Sequence, residues 1–252
     1  MKLTGNTILI TGGGSGIGQG LAEALHGLGN QVIISGRRKD ALIATTQRNP
    51  GMQFAELNVE DPASIARVAT QLIADYPKLN VLINNAGVMK VDDAAGVVDD
   101  ELALSTITTN LLGPIRMTSA LIDQLKKQET ATVINVTSGL AFVPLAMTAV
   151  YSATKAAIHS YTQSLRYKLK GSSVKVLELA PPYVQTELMG ARGATDPRAM
   201  PLKDFIAEAI SLLGSDDDEV LVERVKMQRN NPGPNEAEFV NKFNDIMTEQ
   251  RK

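Results

Sequence analysis

The chain has 252 residues, of which 44% are hydrophobic, enough for the core of one doubly wound α/β unit. Its 25 basic and 27 acidic residues form no Lys- or Arg-rich block, so nothing favours a nucleic-acid or anionic-membrane partner. The lack of cysteine excludes disulfides and cysteine–zinc sites, and we expect no metal site. No apolar run is long enough for a membrane span, and the first residues lack a signal-peptide pattern. We therefore expect a cytoplasmic protein.

Short apolar runs alternate with longer amphipathic segments along the chain. The short runs predict strands at Thr7–Thr11, Gln31–Ser35, Gln53–Leu57, Val81–Asn84, Thr132–Thr137 and Val174–Leu179, with Val220–Val225 as a candidate last strand. The longer segments predict helices at Gly16–Leu28, Lys39–Arg48, Pro62–Asp75, Asp99–Lys127, Ser152–Lys170, Leu202–Leu213 and Glu236–Gln250. This alternation predicts one α/β domain over residues 1–252, with a doubly wound parallel sheet of six to seven strands and helices on both faces.

A glycine-rich turn follows the first strand and opens the first helix. Glycines allow a tight turn and a close approach of a ligand, and the helix start offers unpaired N–H groups to a pyrophosphate. The spacing is Gly-x-x-x-Gly-x-Gly, and no Lys-Ser/Thr pair follows, so the turn is not a P-loop. We predict that it binds a dinucleotide through Gly12, Gly14, Ser15, Gly16, Ile17 and Gly18.

Two further motifs accompany this turn, Asn84-Asn85-Ala86-Gly87 and Tyr151-Ser152-Ala153-Thr154-Lys155. With them, the sequence resembles the compact, single-domain branch of the short-chain dehydrogenase/reductase family over roughly residues 5–190. The resemblance implies a Rossmann fold and hydride transfer between a nicotinamide cofactor and a carbonyl or alcohol carbon. Lys2–Ile17 and Val220–Asn230 are also similar to the oxidoreductases encoded beside the lipoteichoic-acid D-alanylation genes.

The end of the second strand indicates which dinucleotide binds. An acidic residue there binds the ribose 2′-hydroxyl of NAD, whereas a basic residue favours the 2′-phosphate of NADP. Here Arg37 and Arg38 follow the strand without a carboxylate, and Ser15 could add a hydroxyl. The Arg37 guanidinium can offer forked donors to a phosphate, so we predict NADP(H) as the cofactor. Arg38 either joins this site or is a solvated residue at the start of the next helix.

The resemblance implies the remaining cofactor contacts. Asn58 and Val59 stand where the family usually has Asp-Val beside the adenine. After the sixth strand the family usually has Pro-Gly, but this chain has Pro181-Pro182, and Pro182 fixes φ and removes a donor. The backbone of Val184 and the hydroxyl of Thr186 are implied to hold the carboxamide. The implied cofactor residues are thus Asn58, Val59, Asn84, Ala86, Gly87, Tyr151, Lys155, Pro181, Val184 and Thr186.

Tyr151 and Lys155 are spaced i, i+4, which places both on one face of the predicted helix. A free tyrosine has a pKa near 10 and is a poor base at neutral pH. A nearby ammonium favours the phenolate, and two charges about 4 Å apart interact by roughly 4 kcal/mol at an effective dielectric constant of 20. We therefore predict a lowered pKa for Tyr151, which would act as the general acid or base beside Lys155.

Two more residues complete the predicted catalytic set. Ser138 follows the fifth strand at the carboxyl edge of the sheet, where a hydroxyl can hold and polarise the reacting oxygen. Pro114 has no N–H for the carbonyl of Asn110, which is thereby freed to accept from water. By resemblance, Asn110 completes a relay through water to Lys155. The alternative for this segment is a plain helix kink.

We expect a mostly apolar substrate wall, which predicts a substrate with apolar surface. Its candidates are Met89, Ala141, Phe142, Val143, Met147, Tyr183, Leu188 and Met189. Among these, Phe142, Tyr183 and Met189 join Ser138 and Tyr151 as the predicted substrate residues. A loop at about 184–201, rich in Gly, Ala, Pro and Arg near its end, is expected to cover the substrate.

The sequence also bears on the oligomeric state, and two functions other than catalysis are compatible with the same fold. By resemblance, the helices that contain Asn110 and Tyr151 pack against a twofold mate. Residues 215–252 diverge from the usual family ending, so a homodimer is expected, with a homotetramer as the alternative. The same fold could instead serve as a non-catalytic NADP sensor, or as an interaction module that uses this tail. A sensor needs no proton relay, so the catalytic set argues against it. His26 and His159 match no relay position and are expected as packed or surface residues.

Overall fold

The computed structural model describes residues 1–97, 99–231 and 233–249. Within them, seven parallel strands form one sheet in the order β3-β2-β1-β4-β5-β6-β7. The strands are β1 (Thr7–Thr11), β2 (Gln31–Gly36), β3 (Gln53–Glu56), β4 (Leu79–Asn84), β5 (Ala131–Val136), β6 (Val174–Leu179) and β7 (Glu219–Val220). The α-helices are α1 (Gly16–Gly27), α2 (Lys39–Arg48), α3 (Pro62–Asp75), α4 (Asp100–Ile107), α5 (Gly113–Lys126), α6 (Ala149–Lys168), α7 (Leu202–Leu213), α8 (Glu223–Arg229) and α9 (Glu236–Glu249).

The sheet is covered on both faces because its central strands are apolar on both sides. In β1, Ile8 and Ile10 pack in the cluster that contains α1 and α7, whereas Leu9 packs in the cluster that contains α3 and α5. Successive strand residues point to opposite faces, so a continuous apolar run buries both. All three side chains are fully buried. The predicted doubly wound fold and its parallel sheet are confirmed.

The strand order reverses between β1 and β4, which is where open α/β sheets bind their ligands. The turn after β1 and the segment after β4 are joined there by Thr11, whose Oγ1 accepts from the backbone N–H groups of Asn85 and Ala86, both at 3.0 Å. Gly12 has a φ of +69°, and a Cβ at this position would lie 2.8 Å from the Cα of Ala86. Glycine is required here by both backbone conformation and space.

The segment predicted as helical over Asp99–Lys127 is helical, but it is not a single α-helix. α4 and α5 are separated by a π-helical turn at Thr108–Leu112. Pro114 offers no N–H to the carbonyl four residues back, and the N–H of Gly113 instead bonds the carbonyl of Thr108, five residues back. The wider turn lies at Asn110, the residue expected to carry a relay.

The predicted strand at Val220–Val225 is mostly wrong. β7 contains only Glu219 and Val220, which pair with the last two residues of β6. α8 then begins at Glu223, whose N–H donates to the carboxylate of Glu208 at 2.6 Å. Because β6 ends at Leu179, a longer last strand would have no partner.

The other predicted elements agree with the observed ones to within three residues at their ends. Gln250, the predicted end of the last helix, lies outside the described residues. Across residues 1–97, 99–231 and 233–249, no helix has both the length and the apolar character needed to cross a membrane.

Candidate active site

A cavity of about 1530 Å³ runs along the carboxyl edge of the sheet. It joins the glycine-rich turn at one end to Ser138 and Tyr151 at the other. The sequence-predicted residues that line it are Gly12, Gly14, Ser15, Gly16, Ile17, Gly18, Arg37, Arg38, Val59, Ala86, Gly87, Met89, Ser138, Met147, Tyr151, Lys155, Pro181, Tyr183, Val184, Thr186, Leu188 and Met189. The fold therefore brings most of the candidate cofactor and catalytic residues to one space.

Four of the predicted cofactor, catalytic and substrate residues lie outside this lining, as do the substrate-wall candidates Ala141 and Val143, which pack in the cluster of Phe142. The Asn84 amide donates to Oδ1 of Asn135 at 2.9 Å and joins two strands inside the sheet. Oδ1 of Asn58 accepts from the N–H of Glu60 at 3.1 Å, in the turn before α3. The Phe142 ring is buried in the core, against helix α9, instead of in the expected substrate wall. Asn110 is the fourth, and its contacts are described below.

The two arginines after β2 have different partners. Nη2 of Arg38 donates to Oγ of Ser15 at 2.8 Å, so this guanidinium lies at the start of α1. Nη1 of Arg37 instead lies 3.1 Å from Oε1 of Glu60, which also accepts from Thr109 at 2.6 Å. Both arginines line the cavity, but the Arg38 guanidinium contacts the glycine-rich turn, whereas that of Arg37 pairs with Glu60. The sequence did not indicate that Glu60 would pair with Arg37.

Helix α6 begins two residues before Tyr151. Its start is capped by Asp92, whose carboxylate accepts from the N–H groups of Ala149 at 3.0 Å and Val150 at 2.9 Å. These N–H groups have no partner within the helix, and a carboxylate also interacts favourably with the positive end of the helix dipole. Asp92 thus fixes the helix end that carries the tyrosine. Its distance along the chain hid this role from sequence analysis.

Tyr151, Ser138 and Lys155 converge at the carboxyl end of β5. The Tyr151 hydroxyl is close enough to Ser138 for the serine to affect its pKa. Ser138 Oγ also accepts from the N–H of Leu140 at 3.1 Å, so a short 3₁₀ turn fixes this side chain. Nζ of Lys155 lies 5.5 Å from the centre of the Tyr151 ring and donates to the carbonyl of Val136 at 2.7 Å. The phenol and the ammonium are thus neighbours without direct contact.

The pKa of Tyr151 moves opposite to the sequence prediction. Burial raises it to about 12, and the hydrogen bond from Ser138 opposes this only in part. Burial also lowers the pKa of Lys155 to about 8, with the Glu178 carboxylate opposing that change. The predicted lowering for Tyr151 is therefore wrong, because the buried phenolate loses the water that would stabilise it. Near neutral pH this phenol is protonated.

Asn110 connects the loop after β4 to α6. Its Nδ2 donates to the carbonyl of Val88 at 2.8 Å and to Oγ1 of Thr154 at 3.2 Å, while its Oδ1 accepts from the N–H of Val88 at 2.9 Å. A Cβ on Gly87 would lie 3.4 Å from Oδ1 of Asn110 and 3.9 Å from Nζ of Lys155. Asn110 is therefore close to Lys155, although Asn110 itself does not line the cavity.

Comparison with known proteins identifies the family. The family model described as short chain dehydrogenase matches residues 6–197. The chain belongs to the short-chain dehydrogenase family. It is 43% identical over 189 residues, 75% of each chain, to DltE of Bacillus subtilis (strain 168), described as an uncharacterized oxidoreductase. This match agrees with the second resemblance found in the sequence.

Two solved short-chain dehydrogenase folds extend the comparison. A short chain dehydrogenase from Burkholderia cenocepacia J2315, in complex with NADP, has a TM-score of 0.82 and 27% identity over 94% of this chain and 97% of that one. The 3-ketoacyl-(acyl-carrier-protein) reductase from Brucella melitensis, complexed with NADH, has a TM-score of 0.77 and 26% identity over 85% of this chain and 93% of that one. This short-chain dehydrogenase is thus an oxidoreductase whose neighbours bind either dinucleotide.

The C-terminal helices of this short-chain dehydrogenase also line the cavity, which sequence analysis missed. They lie beyond the residues that the family model matches. Their cavity-lining residues are Arg224, Met227 and Gln228 of α8 and Phe243, Ile246 and Met247 of α9. Phe239, Val240 and Phe243 pack against Phe142 and Val143, and Nδ2 of Asn244 donates to the carbonyl of Pro144 at 3.0 Å. The apolar spacing of Phe239, Phe243 and Met247, each one helical turn apart, was the available signal.

Proposed function

We propose that this chain is an NADP-dependent oxidoreductase that transfers a hydride between the nicotinamide and a carbonyl or alcohol carbon. Its substrate is small and partly apolar, and Tyr151 is the general acid or base. One cavity contains both the glycine-rich turn and the Ser138–Tyr151–Lys155 group, and this arrangement supports the proposal most directly. The whole chain acts as one cytoplasmic catalytic unit.

The residues at the turn fit a dinucleotide that carries a 2′-phosphate. Gly12 and Gly16 have φ values of +69° and +54°, and a Cβ on Gly16 would lie 3.4 Å from the Thr186 side chain, so the backbone and Thr186 form a narrow cradle. The start of α1 favours an anion at this point. Arg38 and Ser15 supply a cation and a hydroxyl that suit a phosphate. Arg37 contributes less, because Glu60 already neutralises it.

The nicotinamide, when bound, supplies or accepts the hydride. In the reductive direction, the hydroxyls of Ser138 and Tyr151 hold the substrate carbonyl oxygen and stabilise the charge that develops on it. Tyr151 then gives its phenolic proton to that oxygen. A pKa of about 12 keeps the phenol protonated beforehand, and the pKa of Lys155, at about 8, suits resupply of the proton near neutral pH. Asn110, which contacts the loop after β4, and water complete the path by which Lys155 regains its proton.

The lining near Tyr151 supports a partly apolar substrate. Met89 and Met147 on one side and Met227, Phe243 and Met247 on the other are flexible or flat apolar groups. Tyr183 and Met189 lie in the same lining, on the loop after β6. Arg192 and Arg224 line the cavity as well, so an anionic group on the substrate would meet positive charge.

We further propose a homodimer formed through α4, α5 and α6. Leu104 of α4 and Tyr167 of α6 are 66% and 67% exposed, so these helices offer large apolar side chains to a second copy. Burial of these side chains against a second copy would remove that exposure.

A screen of ketones and aldehydes for NADPH oxidation tests the function. The expected result is turnover with at least one partly apolar carbonyl compound and loss of that turnover in Tyr151→Phe. Binding of neither NADPH nor NADH to the intact chain would contradict the proposal. Tight NADPH binding with no turnover across the screen would favour the sensor hypothesis instead.

A further inference from the structure

A buried carboxylate beneath the active site is not used by the proposed mechanism. Glu178 lies in β6 and is fully buried. Its Oε1 accepts from Oγ1 of Thr137 at 2.7 Å, and its Oε2 lies 2.7 Å from Nδ1 of His159. A charged group inside a sheet is costly, and an apolar residue of similar size would be as stable or more so. The carboxylate therefore calls for a role other than packing.

Two hydrogen-bond partners hold the Glu178 carboxylate in place. Nε2 of His159 lies 2.8 Å from Nε2 of Gln163, and an amide nitrogen only donates. The imidazole proton is then on Nδ1, where it points to the Glu178 carboxylate. Thr137 supplies a second donor. His159 and Thr137 therefore fix the orientation of the carboxylate inside the sheet.

Two cations, Lys155 and Arg229, are influenced by the Glu178 carboxylate. Arg229 of α8 also faces this region, but its guanidinium already forms two bonds with Glu219 of β7, at 2.7 and 3.1 Å. Arg166 of α6 lies 3.5 Å from Asp218. Among the residues that the structure describes, His159, which is hydrogen-bonded to Glu178, and Tyr151, which lies beside Lys155, are the titratable groups in contact with this pair.

Backbone register brings Glu178 close to Lys155. Nζ of Lys155 donates to the carbonyl of Val136, and the next residue, Thr137, donates to Glu178. Val136 and Leu179 are paired across β5 and β6, so Glu178 lies one position away on the adjacent strand. Lys155 is 4% exposed and Glu178 is fully buried. Little water separates the two groups, so their attraction is stronger than at a surface.

We propose that Glu178 is a positioning residue whose carboxylate, fixed by Thr137 and His159, is the buried counter-charge that holds Lys155 as an ammonium ion. Without it, Lys155 loses its proton at a lower pH and no longer serves Tyr151. The effect on turnover rests on the proposed function, but the charge state of Lys155 is a property of the folded chain alone.

The test follows the titration of Lys155 by NMR in protein labelled with carbon-13 at the lysine ε position. The chain is used without cofactor, and the spectrum of Lys155→Met identifies the resonance. In Glu178→Gln, the Lys155 midpoint is expected to fall by about one pH unit, a tenfold change in its acid dissociation constant. The matched control, Glu219→Gln, removes a carboxylate on the next strand and is expected to leave the midpoint within about 0.3 of a pH unit. An unchanged midpoint in Glu178→Gln overturns the proposal.

Two further variants keep the test decisive. Glu178→Asp retains the charge and is expected to retain at least half of the midpoint difference between wild type and Glu178→Gln. If Glu178→Gln does not fold, as judged by circular dichroism, Glu178→Met removes the charge with an apolar side chain and is expected to show the same fall. A midpoint that follows folding stability rather than charge across these variants refutes the counter-charge.

With a substrate from the carbonyl screen, the pH dependence of kcat can also be measured. A purely structural role of Glu178 would not shift this pH dependence. In Glu178→Gln the alkaline limb of the kcat profile is expected to move down by about one pH unit, with little change near pH 6. An equal loss at every pH would indicate misfolding instead and would contradict the proposal. If no substrate is found, the titration of Lys155 still decides whether Glu178 acts on it.

Discussion

The two ends of the cavity are built in different ways. The cofactor end consists of one continuous turn, residues 11–18, together with the ends of β2 and β4, and its shape depends on backbone conformation at glycines such as Gly12. The substrate end is assembled from the end of β5, the loop after β6 and helices α8 and α9, which are far apart in sequence. A local motif specifies its own geometry, whereas an assembled wall depends on long-range packing. The cofactor end can therefore be recognised from its local motif, whereas the packed wall of the substrate end determines which substrate fits.

Loss of the Tyr151 hydroxyl is expected to have the largest effect, and it separates chemistry from binding. Tyr151→Phe removes the proton donor, so kcat with the best carbonyl substrate should fall by about 10³-fold, in the range typical of a lost general acid. The dissociation constant for NADPH should change less than about threefold, because the cofactor end is untouched. Steady-state kinetics and fluorescence titration measure the two quantities. Retention of kcat within tenfold would mean that another group donates the proton.

Replacement of the two arginines compares two neighbours at the cofactor end. Arg38→Ala should weaken NADPH binding by about 30-fold, since a charge-assisted contact to a phosphate is worth roughly 2 kcal/mol. NADH binding should be unchanged. Arg37→Ala is the matched control, with an expected change of less than about threefold, because Glu60 already pairs with it. Equal effects of the two substitutions on NADPH binding would contradict the assignment of the phosphate contact to Arg38.

The buried ammonium of Lys155 should make the folded chain less stable than an apolar side chain at the same position would. Lys155 has an ordinary pKa of 10.5, lowered to about 8 in the fold, so below pH 8 the folded chain carries the full cost of burying the ammonium. As pH rises from 8 to 10.5, the folded chain loses this proton before the unfolded chain does, and that cost disappears. Lys155→Met should therefore raise the free energy of unfolding by roughly 2 kcal/mol at pH 7 and less at pH 9.5.

Urea unfolding at the two pH values measures this difference. The substitution also removes the hydrogen bond to the Val136 carbonyl, so the expected gain is smaller than the pKa change alone would give. A Lys155→Met chain that is less stable than wild type at pH 7 would show that the ammonium is not costly where it lies.

The smallest expected effect concerns the C-terminal wall. Met227 is 64% exposed and lines the cavity, so Met227→Ala should not disturb the fold. KM for a partly apolar substrate should rise by about three- to fivefold, in keeping with roughly 1 kcal/mol for the lost apolar contact. NADPH affinity should stay the same. Comparison of KM for short and long carbonyl compounds checks the wall, and an equal rise for both would place Met227 outside the substrate path.

The contrast between the two ends also explains what the sequence could predict. Strand and helix periodicity, the glycine spacing and the Tyr151–Lys155 pair are local, so the sheet, the turn and the family resemblance followed from them. The pairing of Arg37 with Glu60 and the cap of α6 by Asp92 join residues 23 and 57 positions apart, and no pattern marked them. The direction of the Tyr151 pKa was wrong because proximity to Lys155 was visible in sequence, whereas the extent of burial was not.

The π-helical turn was predicted in part. Pro114 indicated that the Asn110 carbonyl would lack its usual donor, but not that the helix would widen there instead of bending. The contribution of α8 and α9 to the cavity was not predicted. The periodicity of α9 shows that it has an apolar face, but it does not identify the residues that this face contacts. Phe142 and Val143, themselves expected to contact substrate, turned out to be its partners.

Transfer of deuterium from NADPH labelled at the nicotinamide C4 position tests the central claim most directly. A carbonyl substrate from the screen is reduced, and the product is analysed by mass spectrometry and NMR. Hydride delivery beside Ser138 and Tyr151 predicts one deuterium on the former carbonyl carbon, from one label position only and on one face of the product. A product that carries no deuterium from either label position, or equal amounts on both faces, would contradict hydride transfer within this cavity.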